Sequence, residues 1–255
     1  MKNDDFSLQG QQALVIGGGS GIGRAIALAL ARAGADVHLS GRRAQPLAET
    51  ARDIESLGRR AHAFPADAAD LAALERLIET VEREVGVPDI LVNAQGVMAL
   101  KPAEEFDAAD FDRIIGTNLR SVWFSCTGFG RRMLARGRGA IINIASLASF
   151  RGFPNNGVYC VSKAGVRALT ETLASEWAAR GVRVNAIAPG FFLTDLNRDV
   201  MSEQRKARAL ARTPMQRFGE VQELGGAAVF LASPAAAFVT GATIVVDGGF
   251  LAAGM

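Results

Sequence analysis

Tyr159 is the only tyrosine in 255 residues, and Lys163 follows it at i+4 in the segment Tyr-Cys-Val-Ser-Lys. On a helix that spacing puts both side chains on one face. The chain has four lysines, and chance would place one of them there in about 2% of shuffles, so the pair reads as a motif. A phenol near pKa 10 is a slow proton shuttle at neutral pH, and a neighbouring ammonium favours the phenolate. A drop of ~2 to 3 units corresponds to ~3 to 4 kcal/mol of differential stabilisation. The pair therefore suits proton transfer at a carbonyl or alcohol, although the same spacing also describes an ordinary exposed helix face.

A second group of residues suits a phosphate. Gly17, Gly18, Gly19, Ser20, Gly21, Ile22 and Gly23 form G-x-x-x-G-x-G at Gly17, Gly21 and Gly23 rather than the strict G-x-G-x-x-G. Glycine permits positive φ, lets a pyrophosphate approach the backbone, and leaves the N–H groups of a helix N-terminus facing the anion. A glycine cluster can also be a flexible loop; its place between a strand and a helix favours the phosphate. Past the second strand stand Ser40, Gly41, Arg42 and Arg43, with no acidic residue to claim a ribose; Asp36 is at the strand's other end. Arg42, with Ser40 and Arg43, fits a 2′-phosphate, so NADP(H) is expected over NAD(H), which stays open.

These residues need a scaffold that brings strand ends together. Short β-branched runs alternate with amphipathic stretches along the chain, and no linker or low-complexity break divides it. Strands are expected at 12–17, 35–40, 59–64, 88–93, 139–145, 182–188 and 242–249. Helical stretches follow Gly21, end near Gly58, and cover 70–85, 107–136, 157–180 and 220–232. The expectation is α/β: one Rossmann-type domain over 1–255, with a doubly wound, seven-stranded parallel sheet and helices on both faces. A TIM barrel would need eight such units and no glycine cluster after its first strand.

Composition excludes other classes. Hydrophobic residues make up 49% and charged residues 21%, the balance of a chain with a sizeable core rather than a disordered one. A formal charge of +2 without a basic stripe argues against nucleic acid. The polar start MKNDDFSLQG and the lack of an apolar run of ~18 to 20 residues argue for a cytoplasmic protein off the membrane. Cys126 and Cys160 lack metal-ligand spacing, and His38 and His62 are read as solitary, so no metal is expected.

Together these motifs resemble the classical short-chain dehydrogenase/reductase family from about Leu8 to Gly249. The glycine turn resembles the family's T-G-x-x-x-G-x-G, and Asp67 in PAD, with Ala68 after it, resembles its adenine contact. Asn118 in TNLRSVWF resembles the family's helix asparagine, and Ser146 lies 13 residues before Tyr159, as the catalytic serine does. Ser149 lies only 10 before and is the alternative. Asn185 to Gly190, with Pro189, and then Phe192 and Thr194 resemble N-x-x-x-P-G and the cofactor-contacting segment after it.

The resemblance implies an NAD(P)-dependent enzyme interconverting a secondary alcohol and a ketone. Tyr159 would be the acid/base, Lys163 would lower its pKa and hold the nicotinamide ribose, Ser146 would orient the carbonyl, and Asn118 would anchor a water linked to Lys163. It also implies a homotetramer built through the helices at 107–136 and 157–180 and the C-terminal strand. Two departures stand out: Ile16 replaces the usual threonine, and Asn93-Ala94-Gln95-Gly96 replaces N-N-A-G, with Asn93 and Gly96 kept as cofactor contacts.

Specificity is expected from 147–156 and a substrate loop at about 191–215. Phe150, Phe153, Phe191 and Phe192 suggest an apolar or cyclic carbonyl, whereas Arg151, Asn155, Asn156 and Asn197 suggest a hydroxylated or acidic small molecule. Within the family the chain looks most like gluconate 5-dehydrogenases, then 3-oxoacyl-carrier-protein reductases. A non-catalytic NADPH-binding sensor would share the glycine turn and Arg42 but would not need Ser146, Tyr159 and Lys163.

Overall fold

The structure is a computed structural model that describes residues 5–194 and 201–253. Its strands are β1 (Gln12–Ile16), β2 (Asp36–Gly41), β3 (Ala63–Pro65), β4 (Ile90–Asn93), β5 (Gly139–Ile144), β6 (Val182–Pro189) and β7 (Thr243–Val246). They form one parallel sheet in the order β3-β2-β1-β4-β5-β6-β7. The chain runs outward in both directions from β1 and β4, so the crevice beyond their carboxyl ends is the switch point where a doubly wound sheet receives ligands.

Strand alternation explains why the sheet has two cores. Leu14, Ile16, Leu91 and Ile141 pack with Phe129, Met133, Leu169 and Trp177 on one face, whereas Ala13, Val15, Val92 and Ile142 pack with Leu30, Ile54 and Leu231 on the other. Neighbouring residues on a strand point to opposite faces, and a sheet apolar on both needs helices on both. The first face is covered by α3 (Leu71–Val85), α5 (Ser121–Arg136) and α6 (Gly157–Trp177), the second by α1 (Gly21–Arg32), α2 (Ala44–Ser56) and α8 (Gly225–Ala232). Burying a side chain as large as Phe129 contributes about 2–3 kcal/mol.

Three elements differ from the sequence expectation. The strand expected at 59–64 is only Ala63–Pro65, because upstream of it alternate carbonyls, Arg60 and His62, accept from β2. The expected 107–136 helix is α4 (Ala108–Ile115), a π-helical turn at Gly116–Arg120, and α5. An α7 (Glu203–Arg212) forms inside the expected substrate loop; its sequence EQRKARALAR is mostly polar and only Ala209 is buried, which hid its helical face. His38 and His62 are not solitary either, with rings 5.4 Å apart. Burial and the adjacent His62 push His38 down to about 4, making it a neutral core residue.

Candidate active site

The glycine turn between β1 and α1 is built by close contact. Gly17, at φ +85°, faces the backbone of Ala94 and Gln95, and a Cβ on Gly17 would stand 2.8 Å from both Ala94 C and Gln95 N. A Cβ on Gly23 would stand 2.1 Å from the Gly17 carbonyl oxygen. The turn is held from the second strand, since the Ser40 carbonyl accepts from the Gly17 amide at 2.7 Å and the Gly18 amide at 3.2 Å. This is a cradle rather than a loose loop, and it fits the pyrophosphate of a dinucleotide.

One cleft contains most of the expected residues. Gly17, Gly19, Ser20, Gly21, Ile22 and Gly23 line it beside Arg42, Arg43, Asp67 and Ala68. Gly96, Pro189, Gly190, Phe192 and Thr194 line it farther along, with Ser146, Tyr159 and Lys163. Arg43 donates to the Ser20 hydroxyl at 3.3 Å, which leans its exposed side chain over the turn, and Arg42 is exposed at the same end. Asp67 is the only acidic residue among the described lining residues, and its carboxylate already accepts from the Ala69 amide.

The Ser40 and Asn93 side chains turn away from the cleft, whereas Asn118 lies beside Lys163, its Oδ1 and the lysine Nζ 3.6 and 3.8 Å from where a Cβ on Gly96 would stand. Ser40 is fully buried beneath the turn, so its hydroxyl cannot meet a 2′-phosphate and it acts through its carbonyl. Asn93 points into the sheet, donating to Asn143 Oδ1 at 2.9 Å and accepting from Ser125 at 2.6 Å. Asn118, in the π turn, accepts from the Val97 amide at 2.8 Å and donates to the Val97 carbonyl at 2.9 Å and to Ser162 at 3.1 Å. It clamps the loop after β4 to α6, and inserted π turns commonly mark functional sites.

The two serines differ in geometry. Ser149 is buried and donates to the Lys163 carbonyl at 2.6 Å, whereas Ser146 opens onto the cleft beside Tyr159. Tyr159 and Lys163 are both shifted by burial. Burial raises the Tyr159 phenol above its ordinary value, the Ser146 hydroxyl pulls it down, and the Cys160 thiol next to it pushes it up. Lys163 Nζ donates to the Ile144 carbonyl at 2.7 Å and lies 5.8 Å from the centre of the tyrosine ring. Burial brings this ammonium down to about 8. A protonated phenol beside a serine hydroxyl is equipped to donate a proton to a carbonyl oxygen.

The two departures from the family pattern are absorbed locally. Ile16 packs into the core with Leu14 and Leu91. Ala94 Cβ lies 3.2 Å from where a Cβ on Gly23 would stand, and Gln95 Nε2 donates to Ser121 at 3.0 Å.

At the catalytic end Phe153 and Phe191 line the cleft and pack on Phe250, with ring centres 5.2 to 6.2 Å apart. Phe150 instead stacks under Arg167 outside it. Arg151 and Asn155 are exposed away from the cleft, and Asn197 is outside the described residues. Asn156 lines the cleft, as do Met201 and Arg205, which the sequence did not single out. The only available signal was Arg205's place in a helix hidden by its polar sequence. Among the described residues no group of His, Cys, Asp and Glu could hold a metal, and no helix is long and apolar enough to cross a membrane.

A family model described as Enoyl-(Acyl carrier protein) reductase matches residues 17–251. Gluconate 5-dehydrogenase of Gluconobacter oxydans is 40% identical over 96% of both chains. D-threitol dehydrogenase of Mycolicibacterium smegmatis is 42% identical over 96% of this chain and 95% of its own. The solved gluconate 5-dehydrogenase of Burkholderia cenocepacia, in complex with NADP and tartrate, superposes with a TM-score of 0.94 at 39% identity, covering 98% of this chain and 99% of that one. With the glycine cradle and the Ser146–Tyr159–Lys163 cluster on one cleft, this chain belongs to the classical short-chain dehydrogenase/reductase family, oxidoreductases acting on CH–OH groups.

Proposed function

We propose that the protein reduces a ketone on a polyhydroxylated acid, or oxidises the matching secondary alcohol, with NADP(H). The observation that carries this is the convergence of Ser146, Tyr159 and Lys163 on the cleft that begins at the glycine cradle and Arg42. The cradle would hold the pyrophosphate, Arg42 and Arg43 the 2′-phosphate, and Lys163 the nicotinamide ribose. When bound, the nicotinamide supplies or accepts the hydride. Ser146 donates a hydrogen bond to the substrate oxygen and holds the reacting carbon in place. Tyr159 gives that oxygen its proton during reduction and takes it back during oxidation.

The sugar-acid reading is supported by the gluconate 5-dehydrogenases among the relatives and by the NADP and tartrate held by one of them. A neutral polyol is the second reading, favoured by the threitol relative. The experiment follows NADPH absorbance with keto-aldonates, neutral ketoses and 3-oxoacyl thioesters. Keto-aldonates should be reduced fastest, NADPH should be preferred to NADH, and Arg42→Ala should raise the NADPH KM at least fivefold while leaving NADH unchanged. Faster turnover of a thioester would replace the reading, and NADPH binding without turnover of any carbonyl would favour the sensor.

The assembly we propose is a homotetramer. Support comes from Trp123, Phe124 and Val161, which are 41%, 44% and 57% exposed on α5 and α6, and from the outer edge of β7, where Val245 is exposed. The proposed place of work is the cytoplasm, in keeping with two unpaired cysteines.

A further inference from the structure

Among the described residues, the charged side chains lining the cleft are Arg42, Arg43, Asp67, Lys163 and Arg205. The first four serve the cofactor reading, and Arg205 is left over. It lies in the first turn of α7, on the part of the wall that carries Phe153, Asn156 and Met201, with its guanidinium reaching the Pro154 carbonyl and near enough to Cys160 to interact with it electrostatically. Cys160 adjoins Tyr159, so the guanidinium belongs to the catalytic end and not to the phosphate end.

Arg205 forms none of the ion pairs found among the described residues. Its neighbour Lys206 pairs with Glu203 at 2.7 Å, while the hydrogen bond of Arg205 is a long one, 3.4 Å from Nη1 to the Pro154 carbonyl. The residue is half-buried, and burial lowers its pKa. A partly desolvated guanidinium with no ion-pair partner among the described residues is unfavourable, and its planar fork matches a carboxylate bidentately.

An independent polar atom stands on the same wall. Asn156 is 5% exposed, its Oδ1 has no hydrogen-bond partner, and although it precedes α6 its side chain does not cap that helix. A buried acceptor without a donor carries a desolvation penalty that a ligand hydroxyl would relieve. A fork of donors with one long hydrogen bond and no ion pair among the described residues, and a buried acceptor without a donor on a residue of the same wall, complement a molecule that is both anionic and hydroxylated.

We propose that Arg205 selects the substrate, binding the carboxylate of a polyhydroxylated acid while Asn156 Oδ1 accepts from one of its hydroxyls. This rests on the oxidoreductase reading above and deepens it. The relatives include both a gluconate and a threitol dehydrogenase, and Arg205 aligns this chain with the acid substrates. A neutral polyol would leave the guanidinium unpaired.

The test compares wild type, Arg205→Met and Arg205→Lys with 5-keto-gluconate and with a neutral ketose of similar length, alongside NADPH affinity by fluorescence and gluconate binding to the NADP-loaded enzyme by calorimetry. In Arg205→Met the 5-keto-gluconate KM should rise at least tenfold and gluconate affinity fall as much, with the neutral-ketose KM and NADPH affinity within twofold of wild type. Arg205→Lys, which keeps the charge but loses the fork, should fall between. Equal changes for both substrates, or an unchanged KM for the acid, overturn the role of Arg205 and leave the sugar-acid reading standing. A wild type that neither binds gluconate nor reduces the keto-acid overturns both. If Arg205→Met fails to fold, a tenfold weaker gluconate affinity in Arg205→Lys supports the role and an unchanged one overturns it.

Discussion

Tyr159 and Lys163 share a helix face, yet their environments pull them in opposite directions from their ordinary values. Burial raises the phenol and lowers the ammonium, because each is pushed toward its neutral form. For Lys163 the consequence extends to stability. Its folded pKa of about 8 lies below the ordinary 10.5, so the unfolded chain binds more protons between those values. Stability should therefore rise as pH increases from about 8 to 10.5 and be lower below that window, a difference of up to about 3 kcal/mol. Lys163→Met removes this burden but leaves the Ile144 carbonyl without its donor, which returns about 1–2 kcal/mol of the gain. At pH 7 it should melt a few degrees higher than wild type, show no alkaline rise, and be inactive. Tyr159→Phe should lose about a thousandfold in kcat/KM, within the range of a positioned proton donor, while binding NADPH normally. Thermal melts across pH, read beside turnover, check both.

The strand-to-helix turn after β1 acts as a unit because three segments meet there without room for a side chain. Gly23 lies against the Gly17 carbonyl, Gly17 lies against the Ala94–Gln95 backbone, and both glycine-turn amides hang from Ser40. Gly23→Ala should destabilise by about 1–3 kcal/mol through overpacking and abolish measurable NADPH binding. Gly58 is a control: it also has positive φ, +74°, but a Cβ there meets nothing within 4 Å. Gly58→Ala should lose about 1 kcal/mol to backbone strain and leave NADPH affinity intact. Urea unfolding and fluorescence titration of the two variants separate local strain from the loss of the cradle. The π turn at Gly116–Arg120 works on the same scale, since the extra residue swings Asn118 inward to grip Val97 and Ser162.

At the scale of the molecule, large apolar side chains on α5 and α6 are left uncovered by the described residues. Trp123, Phe124 and Val161 are exposed, and exposed apolar side chains gathered in a patch mark an interaction surface. Under the tetramer reading, light scattering at micromolar concentration should give a particle four times the 26.8 kDa chain. Trp123→Arg should yield a smaller one by setting a charge in the buried interface. A wild-type monomer would leave that face unexplained and end the tetramer reading.

What the sequence alone determined is whatever is written in local spacing. Short β-branched runs marked the strands, the i, i+4 pair marked a helix face shared by Tyr159 and Lys163, and clustered glycines marked the turn, because each depends on residues only a few positions apart. What the tertiary structure decided depends on the direction of a side chain at the end of an element. Ser146 rather than Ser149 faces the cleft, Asn93 and Ser40 turn into the core, and the Lys163 ammonium finds the Ile144 carbonyl. Arg205 is the clearest case. In the sequence it is one of many arginines on a polar stretch, and only the packing of α7 makes it a charge that lines the cleft with no ion-pair partner among the described residues.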